Sequence, residues 1–294
     1  MTPSLQWAHG LNFMALFRQD VPGLLWRERR CSACSSVFFP ARDETNGGSS
    51  ALKSPAPGAN TSAGSPFQGP DLKTDQEQSQ ETERHFCPEC RLHLHMRKQG
   101  FCPLCGELAA WEAQPPVSCG RCLSELPPWQ EAVFWGAHDG LLRELLLRLK
   151  FQKELPLAHA LGSTLAMHPR LRHLELDMLV PIPLHKAGLS QRGFNQSLEL
   201  ARPIARHLRL PLDAASLLKT RATAPQHNLP RKDRQVNVRQ AFAVREATVR
   251  NKRILLVDDT MTTGATMRTA ASALLDAGAA SIHVAVVSRT AAVL

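Results

Sequence analysis

The clearest pattern in the chain is a set of short apolar runs separated by stretches of helical spacing. Residues 253–257, RILLV, are continuously apolar after one arginine, as expected for a strand covered on both faces. Residues 282–287, IHVAVV, read the same way, and residues 178–184, MLVPIPL, read as a strand running into prolines. Between these runs, residues 195–207 and 263–277 carry helical spacing. Pro203 predicts a kink or first-turn break in the first helix, and Gly278 ends the second. Further upstream, Leu141, Leu142, Leu145, Leu146 and Leu149 follow Asp139 at helical spacing, with the aspartate placed to cap them. A second helix is expected over 157–167. Strand, helix, strand in this order predicts a parallel α/β sheet, whose ligands bind beyond the carboxyl ends of the strands.

One such end carries distinctive chemistry. Asp258 and Asp259 follow the apolar run, and Thr260, Met261, Thr262, Thr263, Gly264, Ala265 and Thr266 then form a loop of mostly small residues opening a helix. Backbone N–H groups and the dipole at a helix N-terminus favour a phosphate. Threonine hydroxyls add donors, and Gly264 permits close approach of the backbone. Two carboxylates beside a phosphate would repel it unless they served another group. Vicinal ribose hydroxyls, met directly or through a metal, suit them. Helix capping alone needs one acidic residue and no hydroxyl-rich loop.

The other chemistry lies near the start. All eight cysteines fall in CxxC pairs: Cys31/Cys34, Cys87/Cys90, Cys102/Cys105 and Cys119/Cys122. Two intervening residues let both thiolates meet one ion, so four pairs predict two Cys₄ zinc sites of structural type. Iron–sulfur ligation and redox dithiols are the alternatives. Both sequential pairing and an interleaved cross-brace are compatible with the spacing. Residues 41–84 separate the first pair from the second and hold only Leu52, Phe67 and Leu72 as large apolar residues, so a disordered insertion is expected. The resulting division is an N-terminal segment 1–30, a cysteine module 31–126 and an α/β domain 129–294.

Length and composition fit this division. The chain has 294 residues and a 43% hydrophobic share, enough for a substantial core. Net charge is +9, and from Pro181 onward 17 Lys and Arg face 7 Asp and Glu, a surplus of ten. The basic half suits an anionic small molecule or nucleic acid. No apolar run approaches the roughly 18 residues of a membrane span. The N-terminus has neither a basic start nor a small-residue cleavage site, which points to the cytoplasm.

The run ILLVDDTMTTGAT, residues 254–266, resembles the signature of type I phosphoribosyltransferases: four hydrophobics, two acids, small residues, then TGxT. Three further segments narrow the resemblance to the ComF family with its GntX-like members. They are PIPLHKAGLSQRGFNQS (181–197), TRATAPQHNLPRKDRQVNVRQAF (220–242), and CPLCG with the later CGRC and LLRLKF (146–151). Thr260, where a bulkier apolar residue is usual, and the long insertion after Cys34 depart from the pattern.

The resemblance implies a type I phosphoribosyltransferase fold preceded by a double zinc ribbon. It implies binding of phosphoribosyl pyrophosphate (PRPP) with magnesium. Asp258, Asp259, Lys186 and Arg192 would carry the chemistry, and Thr260, Thr262, Thr263, Gly264, Ala265, Thr266, Leu184 and His185 would hold the phosphates. Gln226, Arg234 and Asn237 would belong to a mobile lid. The family's link to DNA uptake implies competence proteins or single-stranded DNA as partners. The second reading is a non-catalytic competence factor binding through its ribbons and basic surface.

Overall fold

The computed structural model describes residues 29–38, 82, 84–220 and 241–291. The first described elements are β1 (Arg29–Arg30) and β2 (Val37–Phe38), an antiparallel pair around the first CxxC. Two short helices, α1 (Pro88–Leu92) and α2 (Gly120–Ser124), each start directly after a cysteine of a later pair. Thr82 and Arg84, at the end of the expected insertion, are helical, and the Phe86 amide donates to the Thr82 carbonyl. The rest of that insertion lies outside the described residues.

Four parallel strands follow: β3 (Ala132–Ala137), β4 (Met178–Pro181), β7 (Arg253–Met261) and β8 (Ser281–Arg289), in the spatial order β3-β8-β7-β4. Between β4 and β7 lies a short antiparallel pair, β5 (Leu217–Lys219) and β6 (Phe242–Val244). The helices around the sheet are α3 (Gly140–Leu147), α4 (Leu155–Ala166), α5 (Pro169–Arg172), α6 (Lys186–Arg192), α7 (Gln196–Leu208), α8 (Glu246–Val249) and α9 (Ala265–Asp276).

The continuous apolar runs divide with period two. Leu255, Val257, Ala285, Val287, Val133 and Trp135 face one core with helices α3, α4 and α7 and the first cysteine cluster. Ile254, Leu256, Val284, Val286 and Phe134 face the other, with α9 and the second cluster. Burial on both faces explains why these strands read as uniform apolar runs rather than as alternating ones. Each cysteine cluster is packed into a core of the α/β body.

Some boundaries differ from the sequence reading. The strand expected over 253–257 runs on to Met261, because β8 also continues to Arg289: Asp258 pairs with Val286, Thr260 with Ser288 and Met261 with Arg289. The acidic pair is therefore held inside a strand rather than in a loop, and the helix begins at Ala265 rather than 263. Strand β4 stops at Pro181, short of the expected 184. Strand β3 was not expected, although its AVFWGA sequence is apolar and Asp139-Gly140 follow it as a turn signal. The leucine helix does not stay α-helical through Leu149. A π-helical turn at Arg148–Gln152 follows α3 and ends on Lys153 in the left-handed region, φ 59°. Asp139 occupies the N-cap position of α3 without a side-chain cap bond. Helix α7 accommodates Pro203 and is capped by Asn195, whose Oδ1 accepts from the Ser197 amide at 3.1 Å.

Candidate functional site

The site is built at the carboxyl end of β7. Asp258 and Asp259 occupy successive strand positions, so their side chains leave opposite faces and meet different partners. Asp258 accepts from the Ser197 hydroxyl at 2.6 Å and from the Asp259 amide at 2.9 Å. Asp259 is buried, 4% exposed, and ion-paired with Lys150 of the π-helical turn. Lys150 also donates to the Thr260 hydroxyl at 3.5 Å. That hydroxyl accepts from Ser288 at 3.2 Å, and Ser288 in turn bonds His138 Nδ1 at 2.9 Å. Thr260, the departure from the family pattern, is thus a member of a polar chain behind the acidic pair.

This arrangement answers the repulsion problem. Lys150 neutralises one carboxylate in place. Asp258 is half-buried by surface area but crowded by protein atoms; that desolvation, reinforced by the neighbouring Asp259 charge, pushes its carboxyl up to about 7. Lys219 on β5 is close enough for the Asp258 charge to act on its ammonium, while burial holds that ammonium below its ordinary value. The mouth of the site is thus far less anionic than two free carboxylates would make it.

The loop after the strand is short. Met261 closes it from below, Thr262 and Thr263 are exposed, and buried Gly264 takes φ +77° before α9 begins. Only glycine adopts that left-handed turn without strain. The Thr263 hydroxyl accepts from the Ala265 amide at 3.4 Å, and Ala265 and Thr266 lie exposed in the first helical turn. Twelve residues of α9 then aim their N-terminal dipole at the space above the acidic strand end.

Residues 182–195 form a second wall. The Asn195 amide donates to the Ile182 carbonyl at 3.1 Å and ties this loop to the start of α7. His185 is the N-cap of α6, its Nδ1 accepting from the Ala187 amide at 3.3 Å, and Lys186 starts that helix. Leu184, His185 and Lys186 line a groove of about 780 Å³ together with Leu189, Phe194 and Lys219. The groove does not include the acidic pair or the Thr262–Gly264 loop. Among the described residues, no hydrogen bond or ion pair joins Lys186 or Arg192 to Asp258 or Asp259. Gln226, Arg234 and Asn237 lie outside the described residues.

Lys150, Ser197 and Arg289 carry site contacts that the sequence did not single out. The signals for the first two were present inside LLRLKF and RGFNQS, but apolar periodicity gives a lone lysine or serine no contrast. Arg289 is 1% exposed at the end of β8, and its guanidinium is buried there in an ion pair with Glu107 at 2.6 Å. It donates to the Met261 carbonyl at 3.0 Å and to the Thr262 carbonyl within the loop.

The cysteines form two clusters, Cys31/Cys34/Cys87/Cys90 and Cys102/Cys105/Cys119/Cys122, each with all sulfurs within 4.8 Å of one another. Pairing is therefore sequential, and the interleaved cross-brace is excluded. Tetrahedral zinc with bonds of about 2.3 Å places sulfurs about 3.8 Å apart. The Cys34–Cys87 and Cys105–Cys119 sulfur separations of 3.7 and 3.6 Å fit that geometry. Four thiolates with no open position fit a structural metal ion.

The chain is similar in sequence to several known proteins. The family described as phosphoribosyl transferase domain matches residues 195–292. The DNA utilization protein YhgH of Escherichia coli K12 is 38% identical over 221 residues, covering 70% of this chain and 97% of that protein. Competence protein F of Haemophilus influenzae is 30% identical over 215 residues, covering 67% of this chain and 94% of its own length. Competence protein ComFC of Bacillus subtilis is 28% identical over 213 residues, covering 67% and 81%. Among solved structures, glutamine PRPP amidotransferase from B. subtilis, complexed with ADP and GMP, is 25% identical, covers 44% of this chain and 25% of its own, and has a TM-score of 0.33. Strand order, acidic strand end, two Cys₄ clusters and these relatives together place the chain in the ComF family of phosphoribosyltransferase-like proteins.

Proposed function

We propose that the chain binds PRPP with magnesium at the end of β7 and transfers its phosphoribosyl group, in a role connected with DNA utilization. The observation that carries this reading is the order of groups along one strand end: a carboxylate pair, a three-residue hydroxyl and glycine loop, and the N-terminus of a twelve-residue helix. The loop and helix suit the 5-phosphate. Asp258, bonded by Ser197 and set at the mouth, suits a ribose hydroxyl. A hard cation held by carboxylate oxygen and substrate phosphates fits the same donor set, and magnesium would there neutralise the departing diphosphate. Leu184, His185 and Lys186 on the second wall suit that diphosphate, with Arg192 at the far end of α6. The Cys₄ clusters suit zinc.

Calorimetric titration with PRPP and magnesium tests the site. Wild type is expected to bind, and Asp258→Asn/Asp259→Asn to lose binding by about 100-fold or more, since Asp258 loses the charge that would hold the ribose hydroxyl and Asp259 loses its pairing with Lys150. Retained binding in the double variant would remove the acidic pair from the site.

A second reading, in which the basic surface contacts single-stranded DNA, is favoured by the surplus of ten positive charges after Pro181 and by the DNA-related names of the relatives. Affinity for an oligonucleotide should then fall steeply with salt, because phosphate contacts release counterions. Binding that ignores salt, or is absent at low salt, rules this out.

A further inference from the structure

The phosphate loop and the second cysteine cluster share one buried arginine. Arg289 donates from Nε to the Cys105 carbonyl at 3.2 Å and from Nη2 to Glu107 at 2.6 Å, both within the second knuckle. Its Nη1 donates to the carbonyls of Met261, Thr262 and Thr290. One rigid guanidinium thus satisfies carbonyls of the metal knuckle and of the phosphate loop together, with nearly no access to water. Such a group, once displaced from either side, leaves buried polar atoms unpaired on the other.

Other contacts join the same two parts. Arg121, between Cys119 and Cys122, donates to the Thr263 carbonyl at 3.3 Å. Trp129 donates its indole N–H to the Leu104 carbonyl, between Cys102 and Cys105, at 2.6 Å. The face of Trp129 carries the Arg268 guanidinium at 5.6 Å, and Arg268 lies on α9, one turn past the phosphate loop. Cys102, Cys105 and Cys122 share one apolar core with Met261, Met267 and Phe134. The first cluster has a different setting. It packs on the opposite face of the sheet, and one of its bonds to the body runs from Arg148 to the Ala33 carbonyl.

We propose that the second Cys₄ knuckle is a structural half of the phosphate site, with Arg289 as the positioning residue, so that metal in the knuckle and a ribose 5-phosphate on the loop stabilise each other. The first knuckle is outside this coupling. The inference rests on the reading of the loop as a ribose-phosphate site. It follows from reciprocity: a ligand that orders the Met261–Thr263 carbonyls orders the arginine that also holds Cys105 and Glu107.

The test uses the full, zinc-loaded chain with ribose 5-phosphate and magnesium as probe, because ribose 5-phosphate lacks the diphosphate that would itself chelate zinc. Binding is measured by calorimetry. On the same preparation, alkylation of each cysteine in the presence of a chelator is followed by mass spectrometry. The probe is expected to slow alkylation of Cys102, Cys105, Cys119 and Cys122 by about fivefold or more, the lower end of ordinary site coupling. Cys31, Cys34, Cys87 and Cys90 should change little. Arg289→Met, or Glu107→Gln where the first variant folds poorly, should keep its zinc and lose most of this selective protection. Probe that binds without protecting the second set overturns the coupling alone, as does equal protection of both sets, which is what global stabilisation would produce. A wild type that does not bind the probe overturns the ribose-phosphate reading and the coupling with it.

Discussion

Lys150→Met is expected to destabilise the protein by about 3 kcal/mol, the lower end of the cost of removing one partner from a buried ion pair. The lower end applies because the Lys150 side chain keeps 18% of its exposure, whereas that of Asp259 keeps 6%. Methionine preserves the volume, so the loss measures charge rather than packing. Asp258 and Asp259 would then carry their charges on adjacent residues without the ammonium that offsets them. The effect should depend on pH. Burial and Asp259 already push the Asp258 carboxyl up to about 7, and Lys150 opposes that rise. Without the lysine the folded-state value rises further. A carboxyl raised in the folded state contributes stability at low pH and loses it as pH rises through that value. The deficit of the variant should therefore widen above about pH 7 and narrow below it. Urea unfolding across pH measures this. In an Asp259→Asn background the same substitution should cost less than about 1 kcal/mol. An equal cost in both backgrounds would mean that the pair contributes nothing.

Gly162→Ala is expected to cost about 2 kcal/mol, although it places a better helix former inside α4. Intrinsic propensity favours alanine by about 1 kcal/mol. Against that, an added Cβ would lie 2.5 Å from the Leu200 carbonyl oxygen and 2.5 Å from Pro203 Cγ, both on α7. One contact is backbone and the other a stiff ring, so the helices themselves must separate, and overpacking of this kind costs about 1–3 kcal/mol or more. Moving α7 also moves Ser197, whose hydroxyl holds Asp258. On the proposed function, loss of PRPP affinity should therefore accompany the loss of stability. Gly188→Ala in α6, where a Cβ meets nothing within 4 Å, is the control and should be neutral or slightly stabilising. A Gly162→Ala variant as stable as wild type would mean that α4 and α7 are not packed as described.

The strand, acidic pair and glycine turn proposed to hold a phosphate were legible because they are local. A strand, two acids, hydroxyls and a glycine before a helix occur within thirteen successive residues, and each follows from backbone geometry at a helix N-terminus. The CxxC pairs were legible for the same reason, since two sulfurs three positions apart reach one ion whatever surrounds them. The strand limits were less so. Extension of β7 to Met261 depends on β8 offering partners as far as Arg289, and no window around residue 261 contains that information.

The sequence by itself determined the α/β class, the position of the acidic pair before a glycine turn and a helix N-terminus, and the grouping of the cysteines into four CxxC pairs. Periodicity and short spacings specify these without reference to distant residues. Only the tertiary structure decided that the clusters form sequentially, that Lys150 from a π-helical turn neutralises Asp259, that Ser197 holds Asp258, and that Arg289 binds the second knuckle to the phosphate loop. These are contacts between residues from 14 to 184 positions apart. Side-chain charges and hydrogen bonds act over a few ångströms of space, so what satisfies a buried group is settled only when the sheet brings its partners together.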